Sequence, residues 1–458
     1  MRTSSGRAIG SGSLVATTMA LTLLGIGATP AHAETARAQQ WHLDAMKADE
    51  LWKVSKGDGV TVAVIDSGVD DTLADLRGRV LPGKDYSGLT GDENSDVGKH
   101  GTGMAALIAA TGARGSVYGS FGLAPKAKVL PIRVPYNQER LQRENRVEET
   151  YSQSMAKAIR FAAESDAKII NISVGSPVTP GAELADAVRY ALSKNKLVFA
   201  AVGNTADEGN PVEYPAATPG VVGVAGMNRK AAWWPKSQTG PQVDLAAPAE
   251  GIVKACVSST QLCKGDGTSN ASALASASAA LIWSKHPDWT NNQVLRVMLN
   301  TAGKPTNGEK RSDYIGYGGV RPRIALTSPG DPGPADVYPL PDLAAAENAA
   351  SPSASASSAP SAAPSEKPAT AAPAPAASDS DSNSGLWIAL GVGAAVLIGG
   401  AVAAVVVRSR RRSATPPPPA MPPAAPPYAP YGPPQQQPNP YQQQNTQYGP
   451  PPGPGQPG

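Results

Sequence analysis

The chain has 458 residues and a formal net charge of +3, with 41% apolar and 17% charged residues. This near-neutral balance, with no basic face or Arg/Lys-rich helix in the apolar part, argues against nucleic acid as a partner. Apolar and aromatic residues concentrate between Trp41 and Ser328, a stretch long enough to bury one large core.

The first 33 residues read as a secretory signal peptide. Arg2 and Arg7 form a positive start, Leu14 to Gly27 is apolar, and Ala31-His32-Ala33 offers a small-x-small cleavage site. The apolar run is short for a membrane span; an uncleaved anchor is the alternative. Residues 34–40 read as a ragged mature end. Trp41 to Lys56 has helical apolar spacing at Met46, Leu51 and Trp52, and Gly57-Asp58-Gly59 is a turn. Val60 to Ile65 is a near-continuous β-branched run ending at Asp66, the pattern of a strand buried on both faces of a parallel sheet.

Strand-like and helix-like segments then alternate. Val129–Val134, Lys168–Val174, Leu197–Val202 and Val221–Ala225 read as strands. Tyr151–Ala163 and Ala182–Ser193 read as helices, the first with Met155, Ile159 and Ala162 on one stripe. The fold class expected is α/β, a largely parallel sheet with helices on both faces. In such sheets, sites form at the carboxyl ends of strands, where Asp66 lies. Cys256 and Cys263 are the only cysteines; an even count in an exported domain predicts a disulfide. Closing so short a loop contributes about 2–3 kcal/mol in the chain-entropy description.

From about Pro329 the composition turns to Pro, Ala and Ser. Residues 329–385 are expected to be a linker; 345–384 lack large apolar groups and cannot bury a core. Leu386 to Val407 is uncharged and almost wholly apolar, the length of a bilayer core. Arg408, Arg410, Arg411 and Arg412 follow, so that end is expected in the cytoplasm and the N-terminal part outside. Residues 408–458 read as the stop-transfer cluster and a disordered Pro/Gln-rich tail.

Three short motifs carry the chemistry. Asp66 ends an apolar strand in Val64-Ile65-Asp66-Ser67-Gly68. A carboxylate there needs a partner such as a histidine ring N–H, although strand-end turn carboxylates are common. Of four histidines, only His100 stands in a glycine-rich turn opening a small-residue helix, Gly98-Lys99-His100-Gly101-Thr102-Gly103. That context suits a general base facing a cleft, and equally a structural histidine at a helix start. Gly267-Thr268-Ser269-Asn270-Ala271 precedes a long Ala/Ser-rich helix. A serine there sits in the positive end of the helix dipole, which favours a developing oxyanion; taken alone it also reads as an N-cap.

The three motifs in the order Asp, His, Ser resemble the subtilisin-like serine proteases. Ile170-Asn171-Ile172-Ser173-Val174-Gly175, Ala200-Ala201-Val202-Gly203-Asn204, Gly122-Leu123-Ala124-Pro125 and Val243-Asp244-Leu245-Ala246-Ala247-Pro248 extend the resemblance across most of 41–328. It implies a peptidase domain over those residues, with Ser269 the nucleophile, His100 the general base and Asp66 its orienting partner. Asn204 would donate to the oxyanion, and Ser173, Val174 and Gly175 would wall the substrate cleft. Two positions depart from the family pattern: Ala273 where a proline is usual and Gly103 where a second histidine is frequent. The layout is similar to the mycosins, membrane-anchored proteases of type VII secretion, which implies secretion components as partners beside a protein or peptide substrate. No cofactor is expected. The resemblance admits calcium, but no local carboxylate cluster offers a metal site. Pro135 to Glu149 is charged, fits no family segment and is expected to cover or border the cleft. A catalytically idle scaffold is the competing function. An α/β-hydrolase is disfavoured because its strand-turn-helix nucleophile motif and Ser-Asp-His order are absent.

Overall fold

The computed structural model describes residues 34–136 and 147–350. The signal peptide, most of 135–149, the Leu386–Val407 span and the 408–458 tail lie outside the described residues. Among those residues no helix is long and apolar enough to cross a membrane.

The chain opens with three short helices, α1 (Ala36–Gln39), α2 (Trp41–Ala45) and α3 (Ala48–Leu51). The single helical stretch expected over 41–56 is broken at Lys47, which adopts φ 61° and restarts the chain as α3. Leu43, Met46 and Leu51 are nonetheless buried, as the spacing required. Gly57 and Gly59, at φ 85° and 75°, turn the chain into β1 (Thr61–Asp66).

There follow β2 (Lys84–Asp85), α4 (Gly101–Ala109), α5 (Gly115–Tyr118), β3 (Lys128–Arg133), α6 (Val147–Glu164) and β4 (Ile169–Ile172). Next come α7 (Ala182–Ser193), β5 (Leu197–Ala201), β6 (Val222–Met227) and β7 (Leu245–Pro248). A hairpin of β8 (Ile252–Ala255) and β9 (Leu262–Gly265) leads into α8 (Thr268–Lys285), and α9 (Asn291–Thr301), α10 (Pro322–Thr327) and α11 (Pro341–Ala350) complete the order. The sheet has seven strands in the order β2-β3-β1-β4-β5-β6-β7, and every pairing is parallel.

Two apolar clusters flank this sheet. Val62 and Val64 of β1 face one, with α4, α8 and α9; Ala63 and Ile65 face the other, with α6 and α7. This two-sided burial is why the β1 run shows no polar alternation. β1 pairs with β3 on one side and β4 on the other. Strand order therefore reverses around β1, and a crevice opens at its carboxyl end.

Helix α8 is buried from Thr268 to Trp283. Its alanines and serines present a low ridge, so its axis can lie close to the strands. Buried serines need partners. Ser272 and Ser276 donate to Asn171 Oδ1 of β4 at 2.9 and 3.1 Å, and Asn171 Nδ2 donates to Ser173 Oγ at 3.0 Å. Asn171 thus fixes α8 along β4. The helix runs on regularly through Ala273.

Packing continues past Ser328 into the stretch expected to be linker. Arg296 donates to the carbonyls of Pro332 and Pro334, Tyr338 Oη donates to Gly220 O, and Leu340 is buried. A proline-rich segment has few free N–H groups, and here its carbonyls are taken up by Arg296.

His42 of α2 is fully buried, and neither ring nitrogen has a hydrogen-bond partner. Burial lowers its pKa to about 3, with the positive Lys254 and Arg37 adding to the effect. The unfolded chain takes up this proton near pH 6.5 and the folded chain does not. Stability from His42 is therefore complete above pH 6.5 and falls by about 1.4 kcal/mol per pH unit as pH drops toward 3. Urea titrations at several pH values should show this slope reduced in His42→Leu; an unchanged slope contradicts the assignment. Asn171→Leu should cost about 1–3 kcal/mol by stranding Ser272 and Ser276, and adding Ser272→Ala and Ser276→Ala should recover part of it. An unchanged urea midpoint in the single variant would show that the Asn171 bonds do not hold α8.

Candidate active site

Asp66 sits at the carboxyl end of β1 with no solvent exposure. Its Oδ1 accepts the Ser67 N–H at 2.7 Å, and His100 Nδ1 donates to Oδ1 at 2.8 Å and Oδ2 at 3.0 Å. His100 occupies the residue before α4. A second carboxylate, Asp96, holds that turn. Its Oδ2 accepts the N–H of Thr102 at 2.9 Å and the Thr102 hydroxyl at 2.5 Å, and its Oδ1 accepts the Ser67 hydroxyl at 2.6 Å. Ser67 Oγ in turn accepts the Gly101 N–H at 3.0 Å. Negative charge at the open end of α4 satisfies the helix donors and the dipole together. Gly101 has to be glycine: a Cβ there would lie 2.2 Å from Gly68 O and 2.9 Å from Asp66 Cβ.

Ser269 is the second residue of α8, behind Gly267 at the cap and Thr268. The N-cap residue is Gly267, so the simple N-cap explanation of Ser269 does not hold. Its carbonyl accepts Ser173 Oγ at 3.1 Å. Asn204 follows β5, and its Oδ1 accepts the Thr268 N–H at 2.8 Å. Only a carbonyl can meet that N–H, so Nδ2 is the atom turned away from Thr268. The Thr268 hydroxyl lies 3.0 Å from the same Oδ1 and accepts the Gly203 N–H at 3.2 Å. A Cβ placed on Gly267, at φ 143°, would lie 3.0 Å from Ser269 Oγ and 3.7 and 3.8 Å from Asn204 Oδ1 and Nδ2. Glycine at 267 therefore leaves space between the Ser269 hydroxyl and the Asn204 amide.

No hydrogen bond joins His100 to Ser269 in this structure. The His100 ring instead stacks on Tyr136, with centroids 5.0 Å apart and planes 23° from parallel. Burial, helped by Asp66 and Asp96, raises the Tyr136 phenol to about 12. Ser173, Val174 and Gly175 prolong β4 beyond Ile172, with Ser173 and Val174 buried. Ser176 then bridges to Tyr214. Beside them lies an open groove of about 550 Å³ lined by Tyr151, Met155, Val178, Leu184 and Tyr214. Cys256 and Cys263 are joined, closing the β8–β9 hairpin. Among the described residues no cluster of His, Cys, Asp or Glu is placed to hold a metal ion.

Three contacts go beyond the sequence reading. Thr268, inside the Gly267–Ala271 motif, orients Asn204, and Tyr136, near the start of the Pro135–Glu149 segment, covers His100. Lys254 donates to Asn270 Oδ1 at 2.8 Å, next to Ser269. A Cβ on Gly103 would lie 2.9 Å from Lys254 Cε. The lysine stem fills the room left at the position where the family often carries a second histidine. Burial lowers its ammonium to about 8, against the pull of Asp266.

A doubly flanked parallel sheet, with Asp66 and His100 paired at its switch point and Ser269 opening a buried helix, defines a peptidase of the subtilisin type. The comparison with known proteins agrees: residues 57–318 match the Subtilase family, and the chain belongs to it. It is 30% identical to the minor extracellular protease Epr of Bacillus subtilis over 63% of this chain, and it spans 42% of that protein. It is 32% identical to mycosin-1 of Mycobacterium tuberculosis, with 64% of this chain and 74% of that one aligned. Among solved structures it is similar to MycP1 from the ESX-1 type VII secretion system, at TM-score 0.55 and 28% identity, over 65% of this chain and 88% of that one. A chain in the periplasmic assembly of the ESX-5 inner membrane complex is similar at TM-score 0.55 and 27% identity, over 72% of this chain and 90% of that one.

Proposed function

We propose that this chain is a serine endopeptidase in which Ser269 attacks the peptide carbonyl, His100 carries the proton and Asp66 holds His100. The observation that carries the reading is the pairing of a buried Asp66–His100 contact with the open space that Ser269 Oγ and Asn204 Nδ2 share at Gly267. With Nδ1–H given to Asp66, His100 keeps Nε2 as the base. As the Oγ–C bond forms, the Ser269 proton moves to Nε2. The carbonyl oxygen becomes an oxyanion between Asn204 Nδ2 and the Ser269 N–H at the head of α8. His100 then returns the proton to the leaving amine as the C–N bond breaks. Water repeats the sequence on the acyl-enzyme and frees Ser269. Closing the gap between His100 and Ser269 falls to substrate binding, since such contacts tighten in the bound complex.

The likeness to mycosin-1 and to chains of the ESX-1 and ESX-5 systems supports work beside type VII secretion components. Together with the signal peptide at 1–33 and the apolar stretch Leu386–Val407 before its arginines, it supports an anchored enzyme with its catalytic domain, 41–328, outside the cell membrane. The likeness to a chain within an assembled inner-membrane complex also favours a second reading, a scaffold whose proteolysis is dispensable.

Ser269→Ala should abolish peptide hydrolysis while changing stability by about 1 kcal/mol or less. Asn204→Ala should retain activity reduced by about 10²–10³ in kcat, because one oxyanion donor is lost. Hydrolysis and thermal unfolding measured on the same preparations decide this; an active Ser269→Ala protein refutes the mechanism. If the scaffold reading holds, Ser269→Ala should leave the secretion complex intact and secretion unimpaired. For topology, protease added to intact cells should release the catalytic domain and leave an epitope beyond Arg412 protected. A digested epitope would reverse the orientation.

A further inference from the structure

We propose that Glu213 forms the floor of the pocket for the side chain on the acyl side of the scissile bond, and that the enzyme therefore selects lysine or arginine there. The inference rests on Ser269 being the nucleophile. A substrate carbonyl between Ser269 Oγ and Asn204 Nδ2 places the α-carbon of its residue beside the segments that leave β4 and β5. These strands are adjacent and parallel, and both end at the edge that carries Asp66. Their extensions, 173–175 and 202–204, therefore leave the sheet side by side.

Each extension carries a glycine whose bare face meets a polar side chain. A Cβ on Gly175 would lie 2.5 Å from Glu213 Oε2. A Cβ on Gly203, at φ 110°, would lie within 2.6 Å of the Gln238 side-chain amide. Gln238 Nε2 donates to Glu213 Oε1 at 3.1 Å and to Thr205 Oγ1 at 2.9 Å. These bonds fix the amide's orientation, because its carbonyl would oppose the carboxylate. Gln238 is fully buried, and its Oε1 accepts no hydrogen bond.

Glu213 thus presents a half-buried carboxylate beside Gly175, met by one amide donor. Burial raises the Glu213 carboxyl, the Gln238 bond opposes this, and no lysine or arginine among the described residues offsets it. A half-buried carboxylate without a cation is a costly arrangement, and a ligand that brings one relieves it. A lysine ammonium or arginine guanidinium supplies donors only, matching the carboxylate. An acidic side chain meets repulsion, and an apolar one leaves the carboxylate dehydrated and unpaired.

The test uses the full-length protein in detergent and a set of peptides differing only at the acyl-side residue: Lys, Arg, norleucine, Gln and Glu. Labelling by a fluorophosphonate is measured in parallel. Wild-type kcat/KM should be higher for Lys and Arg than for norleucine by at least about tenfold, with Glu the poorest. Glu213→Gln should remove most of the Lys-to-norleucine ratio, and Glu213→Lys should turn the preference toward Glu. The ratio is taken within each protein, so a general loss of activity cancels. A labelled wild-type enzyme without basic preference, or a preference that survives Glu213→Gln, overturns the Glu213 assignment alone. Absence of both labelling and hydrolysis overturns the Ser269 reading and this one with it.

Discussion

The seating of α8 against the sheet is the constraint on which the rest of the site depends. Ser269 has no motif of its own to hold it in space; it is carried by the first turn of a helix buried along nearly its whole length. Small side chains let that helix approach the strands, and Asn171 fixes where along β4 it stops. The same asparagine orients Ser173, which binds the carbonyl of Ser269. A shift of one helical turn would move Ser269 by about 5 Å and leave two buried hydroxyls unpaired. Core packing and the placement of Ser269 are thus one energetic problem.

Excluded side chains do the remaining positioning. At Gly101 the backbone of the His100 turn approaches Asp66 and Gly68 more closely than any Cβ permits. At Gly267 the missing side chain leaves the space between Ser269 and Asn204. Fixed polar partners then set orientation. Asp96 ties down the start of α4, and the Thr268 N–H settles which end of the Asn204 amide is free to donate. Each device prepays the ordering that reaction would otherwise require.

Much of this was legible in the sequence, for identifiable reasons. A strand buried on both faces leaves a run such as Val60–Ile65, and the parallel sheet followed from several such runs separated by helical stretches. Asp66, His100 and Ser269 stood out because each interrupts an apolar or glycine-rich context. What stayed hidden depends on contacts made through space. β2 is two residues, Lys84 and Asp85, which carry no strand signal. β8 and β9 are four residues each, too short to stand out by pattern. The break at Lys47 lies in a residue of ordinary helix propensity. Thr268, Tyr136, Lys254 and Glu213 meet their partners 16 to 151 positions away in the chain, and no local spacing encodes that. The proline-rich stretch after Ser328 looked like linker by composition, yet Arg296 binds its carbonyls.

The central claim is that Ser269 is a nucleophile made reactive by His100, and covalent trapping tests it most directly. The full-length protein treated with a fluorophosphonate should gain one adduct mass, and peptide mapping should place it on Ser269. His100→Ala should lose the adduct while keeping its thermal transition. An adduct on another residue, or labelling of Ser269 that proceeds at the same rate without His100, would contradict the account.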